Sequence, residues 1–173
     1  ISQKINFAKS FVLKKNPLYV QFYITARCNL ACQQCNIIYA DAKHQEMSIE
    51  EINQVAENLK QIGVNIVLLI GGEPFVRKDI HEIVKAFTSR NIHVRMQTNG
   101  IANEIQLKKC VENGGKDISI SLDTLKPQLQ DEINGGFNKS WARALNTISM
   151  VSNIFPEGST AFFNSVITVS YTH

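Results

Sequence analysis

The sequence predicts an α/β fold: one domain whose strands run parallel, arranged as an open sheet or a partial (β/α) barrel. Three observations predict it. Apolar, β-branched runs of strand length alternate with segments of helical period along nearly the whole chain. One of these runs, VNIVLLI over 64–70, is almost continuously apolar, as strands of helix-covered parallel sheets are. The chain has 173 residues, whereas eight closed units need about 250, so a complete barrel is excluded.

Each element has its own signal. Residues 1–17 form an N-terminal extension, and 18–25 read as the first strand. Ser48 opens a helix, with Glu51 three residues later completing a capping box. Ile49, Ile52, Val55, Ala56, Leu59 and Ile62 recur at helical spacing, and Gly63 ends the run. The second strand is 64–70. Asp79 caps a second helix carrying Ile80, Ile83, Val84 and Phe87, and 92–98 is the third strand. A helix over 104–113 stops at Gly114 and Gly115, and 117–123 is the fourth strand. Lys126 and Pro127 begin a short turn or helix. A long helix over 139–154 carries Trp141 as a packing anchor, and 160–169 is a fifth strand. Strands separated in this way pair in parallel through right-handed crossovers.

Composition narrows the function classes. Eighteen Lys and Arg face 15 Asp and Glu, for a net charge of +3. With the basic residues scattered, as in the isolated pair Lys14 and Lys15, no nucleic-acid footprint is expected. No stretch of 18 apolar residues exists, so neither a transmembrane helix nor a membrane partner is expected. Three of the four cysteines crowd into 28–35, and Cys110 stands apart. That spacing reads as a metal or redox site in a reducing compartment, the cytoplasm, rather than a disulfide framework.

In parallel α/β folds, function collects at the C-terminal ends of strands. Four unusual sequences fall there: CNLACQQC over 28–35, Gly71-Gly72-Glu73-Pro74, Thr98-Asn99-Gly100 and Ser121-Leu122-Asp123. Four-iron clusters ordinarily take four cysteines. Here three are local, in the spacing C-x3-C-x2-C, which leaves one iron open for a ligand. Two other readings stand beside this one. A closed zinc site would add His44, and an electron-transfer cluster would add Cys110. Cys110 follows Leu107 by three residues on a helix and reads equally as a buried small hydrophobe. Gly71-Gly72 also suits a tight turn before a helix-opening Pro74, Asn99-Gly100 a turn, and Asp123 a cap. Arg77 and Asp79 read as a helix start, His81 and His93 as surface or packing residues, and Gly135-Gly136 as a loop ordering over substrate.

Together, the cysteine loop, GGEPFVRKD over 71–79, Thr98-Asn99-Gly100 and Ser121-Leu122-Asp123 resemble the radical S-adenosylmethionine (radical SAM) superfamily. They are most similar to its branch of molybdenum-cofactor cyclases and peptide-maturing enzymes. The resemblance implies a partial barrel of TIM type with six strands, of which this chain supplies about five. For a core over 18–173, it therefore implies either further residues after His173 or a partner that completes the barrel, and the first is the expectation. Cys28, Cys32 and Cys35 would hold a [4Fe-4S] cluster whose open iron is chelated by S-adenosylmethionine. Gly71, Gly72 and Glu73 would receive the methionine ammonium, with Pro74 and Thr98 in the same cofactor-binding set. Asn99 and Ser121 would reach the ribose or the carboxylate, and Asp123 the ribose. The implied reaction is reductive cleavage to a 5′-deoxyadenosyl radical that abstracts hydrogen from a substrate, fed by a one-electron reductant such as flavodoxin or ferredoxin. One departure stands out: Gln34 replaces an aromatic residue common in relatives, so adenine contacts are expected from Asn36 and Ile37. The stretch 121–136 resembles the small-molecule cyclases somewhat more than the peptide maturases. The alternative function is a non-catalytic iron–sulfur or zinc module.

Overall fold

The computed structural model of the protein describes residues 17–39 and 45–165. Five strands form one sheet in sequential order, β1 (Tyr19–Thr25), β2 (Ile66–Gly71), β3 (His93–Thr98), β4 (Asp117–Ser121) and β5 (Thr160–Asn164). Every adjacent pair is parallel. The helices are α1 (Ile49–Gln61), α2 (Ile80–Thr88), α3 (Glu104–Glu112), α4 (Pro127–Ile133) and α5 (Ser140–Ile154). Sequential strand order with a helical crossover between each pair is the plan of a (β/α) barrel left open.

Strand alternation decides what each face does. Val67 and Leu69 of β2, Val94 and Met96 of β3, and Ile118 and Ile120 of β4 point toward the helices and are buried. They meet Ile52 and Ala56 of α1, Ile83 and Phe87 of α2, Leu107 of α3 and Val151 of α5 in one core. Phe22 of β1 completes it, its ring edge-on to Phe87 at 5.8 Å. The other face is only half covered. The expectation that β2 is buried on both sides therefore holds at Val67, Leu68 and Leu69, but Ile66 and Ile70 are half exposed.

Several boundaries move for local reasons. The capping box forms in full, Ser48 Oγ accepting from Glu51 N and Glu51 Oε2 accepting from Ser48 N. Asp79 takes the position before α2 without capping it through its side chain. Its carboxylate instead grips Arg77, at 2.9 and 2.6 Å. The fourth strand stops at Ser121, because the Asp123 and Thr124 amides both donate to Gln130 Oε1 rather than to a neighbouring strand. Pro127 opens a true helix, giving one more than the four predicted. Positions 166–169 of the expected fifth strand, positions 1–16 of the N-terminal extension and His44 lie outside the described residues.

Arg77 is more than a helix start. It is 4% exposed, and besides Asp79 it donates to the carbonyls of Ile24 at 3.1 Å and Met47 at 3.0 Å. It thus ties the end of β1 to the segment returning from the cysteine loop. Arg77→Ala strands Asp79 and two carbonyls, and is expected to cost about 3 kcal/mol in urea denaturation. A loss below about 1 kcal/mol would show that the pair is dispensable.

Candidate functional site

The site is assembled where the ends of β1 and β2 nearly touch. Gly72 N donates to Thr25 O, and Glu73 N to Arg27 O, each at 2.9 Å. Such contact tolerates no side chain: a Cβ on Gly71 would overlap the Thr25 carbonyl oxygen, and one on Gly72 the Arg27 carbonyl oxygen. Gly71 also has φ +151°, which L-residues rarely adopt. The two glycines let the β2 end lie directly beside the chain entering Cys28. Gly72→Ala is expected to push these segments apart and to cut iron incorporation by more than half, measured by colorimetric iron assay. Full incorporation would contradict the role of this contact.

Glu73 is completely buried. Oε1 accepts from Phe75 N at 2.9 Å, and Oε2 from Asn99 N at 2.6 Å. Burial pushes its carboxyl from 4.5 up to about 7, against these two amides and the Thr98 side chain, which favour the ionised form. Near neutral pH such a group is poised between its two forms, and an arriving cation tips it to the carboxylate. Asn99 extends the link, its Nδ2 donating to Asn29 Oδ1 at 2.7 Å and lying 3.8 Å from Cys28 Sγ. Thr98, itself buried, braces the turn by accepting from Gly100 N.

The cysteine loop is irregular but well anchored. Arg27 makes a two-pronged ion pair with Glu46, 2.8 Å on each arm, and Thr25 Oγ1 donates to the same carboxylate. Leu30 is buried, and Cys35 N closes a turn on Cys32 O. All three thiols are free and half buried. Burial and the neighbouring Cys28 and Cys35 push the Cys32 thiol up to about 11, and burial raises Cys28. Among the described residues, no three His, Cys, Asp or Glu side chains gather closely enough to hold a single metal ion. A multi-iron cluster takes each thiolate on a different iron, so its sulfurs stay apart. Three neighbouring but separated thiols are donors of that kind. Cys110 lies in the core on α3, its thiol pushed up to about 12 by burial.

A cavity of about 700 Å³ opens above these groups. Cys28, Cys32, Cys35, Gly71, Gly72, Glu73, Pro74, Thr98, Asn99, Ser121 and Asp123 all line it, so every candidate site residue from the four motifs converges on one space. Asn36 and Ile37 line it too. Gln34 Nε2 donates to Asp123 Oδ2 at 3.2 Å, spanning from the cysteine loop to the end of β4. Gly135-Gly136 does not cover the cavity as expected. Gly135, at φ +82°, packs so tightly on the cysteine loop that a Cβ would overlap Ala31 O. The motifs also missed Tyr23, Gln97, Asn134 and Asn164, which line the cavity together with Ile70. A signal existed for two of them, since Tyr23 and Gln97 sit at strand positions alternating with the core-facing residues. Asn134, 102 residues from Cys32, carried none.

Comparison with known proteins places this geometry. The chain is 34% identical over 123 residues to the GTP 3′,8-cyclase of Peptoclostridium acidaminophilum, an alignment covering 68% of this chain and 38% of that protein. It is 40% identical over 114 residues to the mitochondrial GTP 3′,8-cyclase of Arabidopsis thaliana, covering 63% and 29%. This chain thus spans well under half the length of these relatives. In fold it is similar to Streptococcus suis SuiB, with TM-score 0.71 and 24% identity over 96% of this chain and 37% of that one. SuiB bound to S-adenosylmethionine gives TM-score 0.70. The Radical SAM superfamily model matches residues 22–169, and the chain belongs to that superfamily, whose cofactors are a [4Fe-4S] cluster and S-adenosylmethionine.

Proposed function

We propose that the chain is the cofactor-binding core of a radical SAM enzyme, with Cys28, Cys32 and Cys35 as the cluster ligands and a core that spans 18–173. The observation that carries this reading is the convergence of three separated thiols and the buried carboxylate of Glu73 on one cavity at the strand ends. When bound by these cysteines, the reduced [4Fe-4S] cluster would supply one electron for reductive cleavage of the sulfonium C–S bond of S-adenosylmethionine, to methionine and a 5′-deoxyadenosyl radical able to take hydrogen from a substrate.

The protein's residues position and shield. Glu73, anchored through both oxygens, accepts the methionine ammonium, and the side-chain-free edge of Gly71 and Gly72 lets that group approach the backbone. Pro74 and Thr98 hold this edge in shape, Asn99 reaches the carboxylate or ribose together with Ser121, and Asp123, steadied by Gln34, faces the ribose. Asn36 and Ile37 cover the adenine side. Beyond the cofactor set, the wall offers Tyr23, Gln97 and Asn164, groups that read a substrate through neutral hydrogen bonds. The GTP 3′,8-cyclase relatives support a small-molecule substrate over a peptide. A one-electron donor of the flavodoxin or ferredoxin type is its partner. Among the described residues, no helix is long and apolar enough to cross a membrane.

The test is anaerobic reconstitution of the full-length protein, followed by reductant and S-adenosylmethionine, with methionine and 5′-deoxyadenosine measured by mass spectrometry. Equimolar formation of both is expected. A protein with about four irons per chain that releases neither would overturn the proposal.

A further inference from the structure

The loop between α4 and α5 is built against the cysteine loop, and only part of that contact is explained by packing. Gln33 N donates to Ile133 O at 3.0 Å, and Gln33 Nε2 to Glu132 O at 3.2 Å. Gly135 supplies the closeness, having no Cβ to strike Ala31. At the centre lies Asn134, only 6% exposed. Its Oδ1 is 3.3 Å from Cys32 Sγ, where it accepts from the thiol, and its Nδ2 donates to Ser140 Oγ at 2.9 Å. Ser140, also buried, donates in turn to Asp131 Oδ1 at 2.8 Å. Asp131 holds two more donors, Lys139 N at 2.8 Å and Trp141 N at 3.1 Å.

We infer that Asn134 tunes the redox potential of the cluster by donating a hydrogen bond to the Cys32 sulfur. This role requires Cys32 to be a cluster ligand, as in the proposed function. A thiolate on iron has no proton to give, so the Oδ1 now facing Cys32 would be left opposing a negative sulfur. A half-turn of the amide puts Nδ2–H on that sulfur and Oδ1 toward Ser140. Ser140 then swings its hydroxyl hydrogen from Asp131 to Asn134. Asp131 keeps its two backbone donors, so no buried group is orphaned in either arrangement. The relay Asp131–Ser140–Asn134 thus accommodates both the free thiol and the ligated thiolate. Hydrogen bonds to cluster sulfurs stabilise the more negative, reduced state and raise the potential.

The experiment compares the reconstituted parent with Asn134→Asp and Asn134→Ala by iron content, redox titration followed by electron paramagnetic resonance, and deuteron coupling after exchange into heavy water. Asn134→Asp keeps the shape and can still accept from Ser140, but cannot donate to sulfur. Both variants are expected to bind full iron, to titrate at a more negative potential, and to lack one exchangeable deuteron near the cluster. At the parent's midpoint, the ratio of reduced to oxidised cluster is expected to fall roughly three- to tenfold, which is about 0.7–1.4 kcal/mol at 1.4 kcal/mol per tenfold, the part of a hydrogen bond to a charged group that differs between the two oxidation states. Full iron with unchanged potential and unchanged deuteron coupling would overturn the inference. A parent that forms no [4Fe-4S] signal would instead remove the assignment of Cys32.

Discussion

Replacing any one of Cys28, Cys32 or Cys35 with Ala is expected to reduce bound iron from about four per chain to below one, and to abolish 5′-deoxyadenosine formation. The three thiols sit on one short loop and line one cavity, and no fourth described cysteine is near enough to substitute. Cys110 provides the internal control. It is sealed in the core on α3, so Cys110→Ala trims a small buried group, costing about 1 kcal/mol of stability and leaving iron content unchanged. Loss of iron in Cys110→Ala would point to a fourth protein thiolate and a closed cluster. Iron retained in all three single variants would remove the loop from the metal site altogether.

The second large effect is expected at Glu73, and it depends on pH. Its carboxyl is at about 7 in the folded, ligand-free protein against 4.5 ordinarily. Between those values, the folded chain holds a proton that the unfolded chain has released. Stability is therefore highest below pH 4.5 as far as this group is concerned, falls as pH rises toward 7, and levels off above it. The total change is roughly 3 kcal/mol. A bound ammonium reverses the preference, because it favours the carboxylate, so S-adenosylmethionine is expected to bind more tightly at pH 8 than at pH 6. Glu73→Gln should flatten both profiles and weaken cofactor binding about 10- to 100-fold, the worth of one charge-assisted hydrogen bond. Urea denaturation at several pH values, together with calorimetric titration of the reconstituted protein, measures both. A stability profile that does not change between the parent and Glu73→Gln would remove Glu73 as the source of the pH dependence.

Most of the fold was legible because each element announces itself locally. The Ser48–Glu51 capping box, the apolar run at 64–70 and the Gly114-Gly115 stop mark their boundaries through nearest neighbours, and the structure places boundaries within a residue or two of each. What the sequence hid are decisions made between distant residues. Whether Asp79 caps α2 or grips Arg77 depends on Arg77 being buried and held by the carbonyls of Ile24 and Met47. The end of β4 depends on Gln130 reaching back to two amides. The site shows the same division. Its motif residues stand out because cysteines, paired glycines and an isolated acid are unusual at strand ends. Asn134 could not be read, because an asparagine before two glycines is an ordinary turn until the fold brings it against Cys32. For the same reason, the packing of Gly135 on Ala31 of the cysteine loop has no local signal.

In the proposed function, the three cysteines leave one iron open and S-adenosylmethionine occupies it beside Glu73. Low-temperature electron paramagnetic resonance of the reduced, reconstituted protein, recorded before and after adding S-adenosylmethionine, tests it most directly. A [4Fe-4S] signal whose g-values shift on addition is the predicted result. A [4Fe-4S] signal that stays unchanged at saturating S-adenosylmethionine would mean that all irons are already closed, and would contradict it.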